Sequence, residues 1–331
     1  MELEFEHKQS AHCENGVASN LLHFYGMEIS EPMVFGIGAG LFFFYFPLLK
    51  VNQAPAISFR TMPGYIFSKA AKRLGFKVKR QKFSSPEKAQ KVLDENLSKG
   101  NPVGLQVGVY DLTYFPDAYR FHFNAHNLCV YGKKNDIYLI SDPVMPSVTT
   151  LSQEELERVR FAKGTLAPKG HLYYPIHIPS QIQWEKAIKS AIKEVCQAML
   201  SPVPIIGVKA IKKVSRDIPK WATKKGTKMT NYYLAQLIRM QEEIGTGGGG
   251  FRFIYAAFLQ EASEILQNKR LRELSHELTN IGDLWREFAV NIARVYKNRS
   301  NTPDIYNVLS KELAVIAQKE ELFFRKLKKS V

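Results

Sequence analysis

The chain has 331 residues, 45% apolar and 23% charged, which are the proportions of a folded globular protein and enough length for two domains. Its longest apolar run, Met33 to Leu49, holds three glycines and a proline and falls short of the about 20 residues a membrane span needs, so it reads as buried core. The net charge is +15; residues 181–331 hold 26 basic and 15 acidic side chains, against 20 and 16 in residues 1–180, so the second half is expected to attract an acidic partner.

The N-terminal stretch MELEFEHKQ is acidic and lacks a basic region followed by an apolar one, unlike a secretory signal. Three cysteines, Cys13, Cys129 and Cys196, have neither zinc-type spacing nor an even count for disulfides, so a reduced, cytoplasmic protein is expected. The first predicted helix runs from Asn15 to Phe24, with Val17, Leu21, Leu22 and Phe24 on one face. Cys13 stands just ahead of it, and a thiol at a helix N-terminus beside an imidazole is readily made a thiolate. Two bland readings compete: a buried thiol, or a metal ligand with His7 and His12, for which no fourth ligand of suitable spacing follows. The aromatic run Phe42 to Phe46 reads as a core strand or helix ahead of a pocket wall.

Further helices are predicted over Ser68–Leu74 and Pro86–Leu97. Asn101-Pro102 breaks the chain, and Val103–Tyr110 reads as a strand. Asn127–Tyr131 and Ile137–Ser141 then form a predicted hairpin turning over Gly132–Asp136. Centred near Lys134, that hairpin sets His126 directly opposite Asp142, where Cβ atoms stand about 4.5–5.5 Å apart. A carboxylate there holds an imidazole in the tautomer a general base needs. The same spacing permits an ordinary polar hairpin end, and a slip of one residue would turn the two side chains to opposite faces. His122 is the alternative base, without an equally placed carboxylate. Cys129 and Cys196 read as buried filler. Ser152 and Glu155 form a capping-box signature.

Beyond Pro179 nearly everything is helical: Trp184–Leu200, Pro204–Val214, Asn231–Glu243, Tyr255–Asn268, Leu271–Tyr296 and Asp304–Lys329. The boundary is placed near 180, giving units 1–180 and 181–331. The densest charge lies in Val208–Met229, with eight basic residues and one acidic. The glycine-rich Gly245–Phe251 reads as a helix connector or, through its backbone N–H groups, as a phosphate cradle assisted by Arg252, although no Gly-Lys-Ser/Thr follows.

HCENGVASNLLHFYG, SEPMVFGIGAGLFFFY, HNLCVYG and SDP, in this order, resemble the N-terminal domain of the BtrH-like family (butirosin biosynthesis protein H). GTGGGGFRFIYAAFLQEAS resembles the helical domain that accompanies it. The resemblance implies an α+β fold, a papain-like cysteine-enzyme domain over 1–180 followed by an α-helical partner- or substrate-binding domain over 181–331. It implies Cys13 as nucleophile, His126 as base and Asp142 as orienting carboxylate, with Gln9 or Asn15 as oxyanion candidates. Gln9 stands four residues before the cysteine, closer than the family's usual glutamine.

The implied activity is acyl transfer from the phosphopantetheine thioester of an acyl carrier protein to an amine or hydroxyl. No cofactor is held by the enzyme itself, since phosphopantetheine arrives on the carrier. Carrier proteins are acidic, so Lys209, Lys212, Lys213 and Arg216, with Arg252 for the pantetheine phosphate, are the candidate carrier-binding residues. A +15 protein repels a polycationic aminoglycoside, so a different small-molecule or lipid-like acceptor is expected. Hydrolysis at the same site, as peptidase or amidase, is the alternative. A non-catalytic basic protein binding nucleic acid or anionic membrane ranks below it, and with Trp221 the sole aromatic in the basic stretch, nucleic acid is not expected as a partner.

Overall fold

A computed structural model describes residues 1–297, 299 and 304–331. The chain opens with α1 (Cys13–Phe24), α2 (Glu31–Ile37), strands β1 (Leu41–Val51) and β2 (Ala54–Arg60), and α3 (Tyr65–Leu74). Then follow β3 (Lys77–Gln81), α4 (Pro86–Ser98), β4 (Val103–Val107), β5 (His126–Lys134), β6 (Ile137–Ser141), β7 (Thr149–Ser152), α5 (Gln153–Arg160) and β8 (Leu172–His177). The remainder is helical: α6 (Trp184–Met199), α7 (Gly207–Ile238), α8 (Arg252–Ile265), α9 (Lys269–Tyr296) and α10 (Ile305–Lys328).

Contacts divide the chain into two units, Met1–Val34 with Ala70–Ile182, and Phe35–Lys69 with Gln183–Val331. The β1–β2 hairpin therefore belongs with the C-terminal helices, although it lies well before position 180. In the first unit, six strands form one antiparallel sheet in the order β3-β8-β4-β5-β6-β7. Leu105, Leu128, Val130, Ile140 and Leu172 of the sheet are buried with Leu93 and Leu97 of α4 and Leu156 and Val159 of α5 in one core. α5 starts with both halves of the capping box, Ser152 accepting from the Glu155 N–H and Glu155 accepting from the Ser152 N–H. The order along the chain is a helix headed by cysteine, a strand headed by histidine, and an aspartate just after the next strand.

In the second unit β1 alternates buried Leu41, Phe43 and Tyr45 with partly exposed Phe42, Phe44 and Phe46, which settles the aromatic run as a strand. The apolar run that the sequence reads as core leaves the core at its end, where Leu48 is 82% exposed. α7 joins what the sequence reads as two helices, but it bends at Gly226, whose φ of 76° is left-handed and suits glycine. Among the described residues no helix is long and apolar enough to cross a membrane.

Candidate active site

α1 is buried from Cys13 to Leu22, polar residues included. Its entry is tied down by α2. The Glu31 carboxylate accepts the backbone N–H groups of Ala11 (3.0 Å) and His12 (2.7 Å), just before the first turn. These donors would otherwise lack partners at a helix start. Burial pushes the Glu31 carboxyl above its ordinary value, against the pull of those two amides. Gly16 lets the next strand end approach, since a Cβ there would lie 2.6 Å from the Cβ atoms of both Pro143 and Ser10. The Ser10 N–H also donates to the Pro143 carbonyl at 2.7 Å.

The hairpin brings His126 and Asp142 together in a register other than the expected one. Its turn is the tight Asn135-Asp136 pair, with Asn135 left-handed, and Lys134 faces Ile137. Continued without change, that register would have put His126 and Asp142 on opposite faces of the sheet. A bulge between Val130 and Gly132 inserts one residue, so that Ser141 faces Cys129. Extended by one residue, the ladder sets Asp142 across from Leu128, diagonal to His126 and on the same face. His126 Nε2 and Asp142 Oδ2 are 2.7 Å apart, both residues buried.

Asp142 is held on both oxygens. Tyr114 donates its hydroxyl to Oδ2 at 2.7 Å, and the Val144 N–H donates to Oδ1 at 3.2 Å. Burial first, and the carboxylate second, push the Tyr114 hydroxyl well above its ordinary value, so it stays a donor. Phe115 packs edge-on to the His126 ring at 5.5 Å.

Cys13 is 8% exposed, and its thiol is among the groups that raise the His126 pKa. With Nε2 on Asp142, the other ring nitrogen is the one left for the thiol. Burial alone would lower the His126 pKa, but the Asp142 carboxylate and an ionised Cys13 thiol outweigh it and push it up to about 10. The site is built to hold His126 as an imidazolium. Asn127 adds a contact that spacing did not reveal. Its Nδ2 donates to Cys13 Sγ at 3.9 Å and to the Ala125 carbonyl at 3.2 Å, while its Oδ1 accepts from the Tyr173 hydroxyl at 2.9 Å. The amide is thereby fixed with its donor end toward sulfur. The signal for Asn127 was adjacency to His126; Tyr114 and Tyr173 had none.

Other expected residues lie elsewhere or are differently engaged. Gln9 is exposed. Asn15 is fully buried on α1, and neither polar atom of its amide has a hydrogen-bond partner among the described residues. His122 stacks on Tyr110 at 4.1 Å. His7 bonds Ser141 Oγ and the Met145 carbonyl, and no cluster of three or more His, Cys, Asp or Glu among the described residues is placed to hold a metal.

In the second unit, Arg252 is not available to a phosphate. It is fully buried, forms a two-bond pair with Glu320 (2.8 and 3.0 Å), donates to the Gly250 carbonyl and lies over the Phe59 and Trp285 rings. The glycine loop is no open cradle either. The Gly248 N–H donates to Thr246 Oγ1 and the Gly249 N–H to Glu242. Lys212 pairs with Glu321 at 2.5 Å and Lys213 with Asp217 at 3.2 Å. Lys209 donates to the Pro202 carbonyl and Arg216 to the Lys212 carbonyl. Lys212 and Lys213 thus face carboxylates within the unit, while Lys209 and Arg216 keep their charge on neutral carbonyls.

Residues 12–143 match the family described as butirosin biosynthesis protein H, N-terminal, and residues 154–327, more than half of the chain, match the domain of unknown function DUF4872. A solved structure described as a C39-like peptidase from Bacillus anthracis is 13% identical, over 53% of this chain and 96% of that one, with a TM-score of 0.36. No curated protein matches the chain.

Proposed function

From a chain that belongs to the butirosin biosynthesis protein H-like family, with that N-terminal domain followed by the DUF4872 domain, we propose a cysteine-dependent acyltransferase. The donor is an acyl thioester on the phosphopantetheine arm of an acidic acyl carrier protein, and the acceptor is an amine or hydroxyl of a small or lipid-like molecule. The observation that carries this reading is the buried Cys13–His126–Asp142 array.

Cys13 Sγ, its proton held by His126, attacks the thioester carbonyl. The carbon–sulfur bond to pantetheine breaks, and His126 returns the proton to the departing thiol. Two thioesters of similar energy are exchanged, so the step needs little driving force. In the second half, His126 takes the proton of the incoming amine or alcohol as it attacks the acyl-enzyme, and the pair of the breaking carbon–sulfur bond returns to Cys13. The Asn127 amide favours that departure by donating to Sγ.

The test is a transfer assay with acyl-carrier thioesters and a panel of amines and alcohols, products read by mass spectrometry. The expected result is an acylated acceptor in excess of free acid. Free acid as the sole product with every acceptor and every acyl type would overturn transfer in favour of hydrolysis.

A further inference from the structure

The basic stretch and the aromatic run meet in the second unit. In a straight helix Trp221 and Tyr233 would stand about 18 Å apart along the axis. Their rings instead meet edge to face with centroids 5.4 Å apart, which the bend at Gly226 allows. Both anchor on the β1–β2 hairpin. Trp221 lies by Tyr45, Lys50 lies over the Tyr233 ring at 5.0 Å, and Tyr232 donates to the Asn52 carbonyl at the hairpin turn. The residues between these anchors, 223–228, are all exposed, Lys224, Lys225 and Lys228 among them. None of the three forms an ion pair among the described residues.

The hairpin end itself is apolar. Leu48, Leu49 and Val51 are 82%, 51% and 55% exposed, with Lys50 among them. Such side chains projecting from a tight turn present a wedge, not a groove for a peptide. Residues 35–69 contain three basic side chains and no Asp or Glu, so nothing on the hairpin opposes a negative surface.

We propose that this hairpin end and the Lys224–Lys228 bend dock the protein on an anionic lipid surface, with Leu48, Leu49 and Val51 entering the headgroup boundary and the lysines resting on the lipid charge. Aliphatic side chains flanked by lysines combine the two terms that peripheral binding uses. The proposal stands apart from the acyltransferase reading.

The experiment is sedimentation of the full-length protein with vesicles of phosphatidylcholine alone or with one third phosphatidylserine, at low and at physiological salt. The wild type is expected to sediment with the serine-containing vesicles only, and less so as salt rises. The triple variant Lys224→Ala, Lys225→Ala, Lys228→Ala should bind about 100-fold more weakly, at about fivefold per lysine. Leu48→Ser with Leu49→Ser, exposed positions that leave the core untouched, should lose about tenfold or more. Absence of binding to the serine-containing vesicles at low salt overturns the proposal, as does binding that survives both variants. Loss with the lysines alone overturns insertion of the hairpin. Retention on an acidic carrier protein through these residues, without vesicle binding, replaces the lipid by a protein.

Discussion

His126→Ala should lower acyl transfer by about 10²–10⁴-fold, the range that a positioned general acid–base supplies. Asp142→Asn should cost a comparable factor and also change the shape of the pH profile. In the wild type the carboxylate is the main force raising His126 to about 10, against burial, which acts in the opposite sense. A raised histidine stays protonated until pH passes its folded value, so the imidazolium form persists through neutral pH and is lost on the alkaline side. Asparagine removes the charge but leaves the burial. The His126 pKa therefore falls, and the alkaline limb of kcat/KM moves to lower pH. Measuring kcat/KM from pH 5 to 10 for both proteins checks this. An alkaline limb that stays in place in Asp142→Asn contradicts the assigned role.

Glu320→Ala should destabilise the second unit by about 3–5 kcal/mol, the penalty for leaving one member of a buried ion pair uncompensated. Glu320 accepts two bonds from Arg252 and one from Trp285 Nε1 at 2.7 Å, and all three residues are fully buried. Truncation strands the guanidinium between two aromatic rings without a counter-charge. At about 2–4 °C per kcal/mol for a unit of this size, Tm should fall by about 10 °C. The pair itself is not thereby a source of net stability, since desolvating two charges offsets most of their attraction. Glu320→Gln, which keeps the shape and an acceptor, should fall less. A thermal melt in which Glu320→Ala matches the wild type would remove this account of the interior.

The sequence made some of this legible because the relevant physics is local. A serine three residues ahead of a glutamate specifies a helix start, and Ser152–Glu155 is one. Alternating apolar residues specify strands, and β5 and β6 lie where the valines and isoleucines put them. The pairing of His126 with Asp142 was legible for a less direct reason. The expected turn was too wide and the register was off by two residues, an even number that keeps the same face. The tight turn alone would have broken the pairing, and the bulge after Val130 restores it.

What was not legible depends on contacts across long separations. Nothing near Arg252 announces Glu320, 68 residues away, so a buried arginine next to glycines read as a phosphate ligand. Tyr173 lies 46 residues from the Asn127 amide that it fixes. The β1–β2 hairpin joins helices that begin more than 100 residues later, and its alternation does not show this.

The central claim is that Cys13 carries the acyl group. It is tested by mixing the intact protein with an acyl-carrier thioester, quenching in acid and weighing the protein by mass spectrometry. The predicted result is a gain equal to one acyl group, mapped to Cys13 by peptide analysis and absent in Cys13→Ala. An adduct that persists in Cys13→Ala, or continued turnover by that variant, would contradict it.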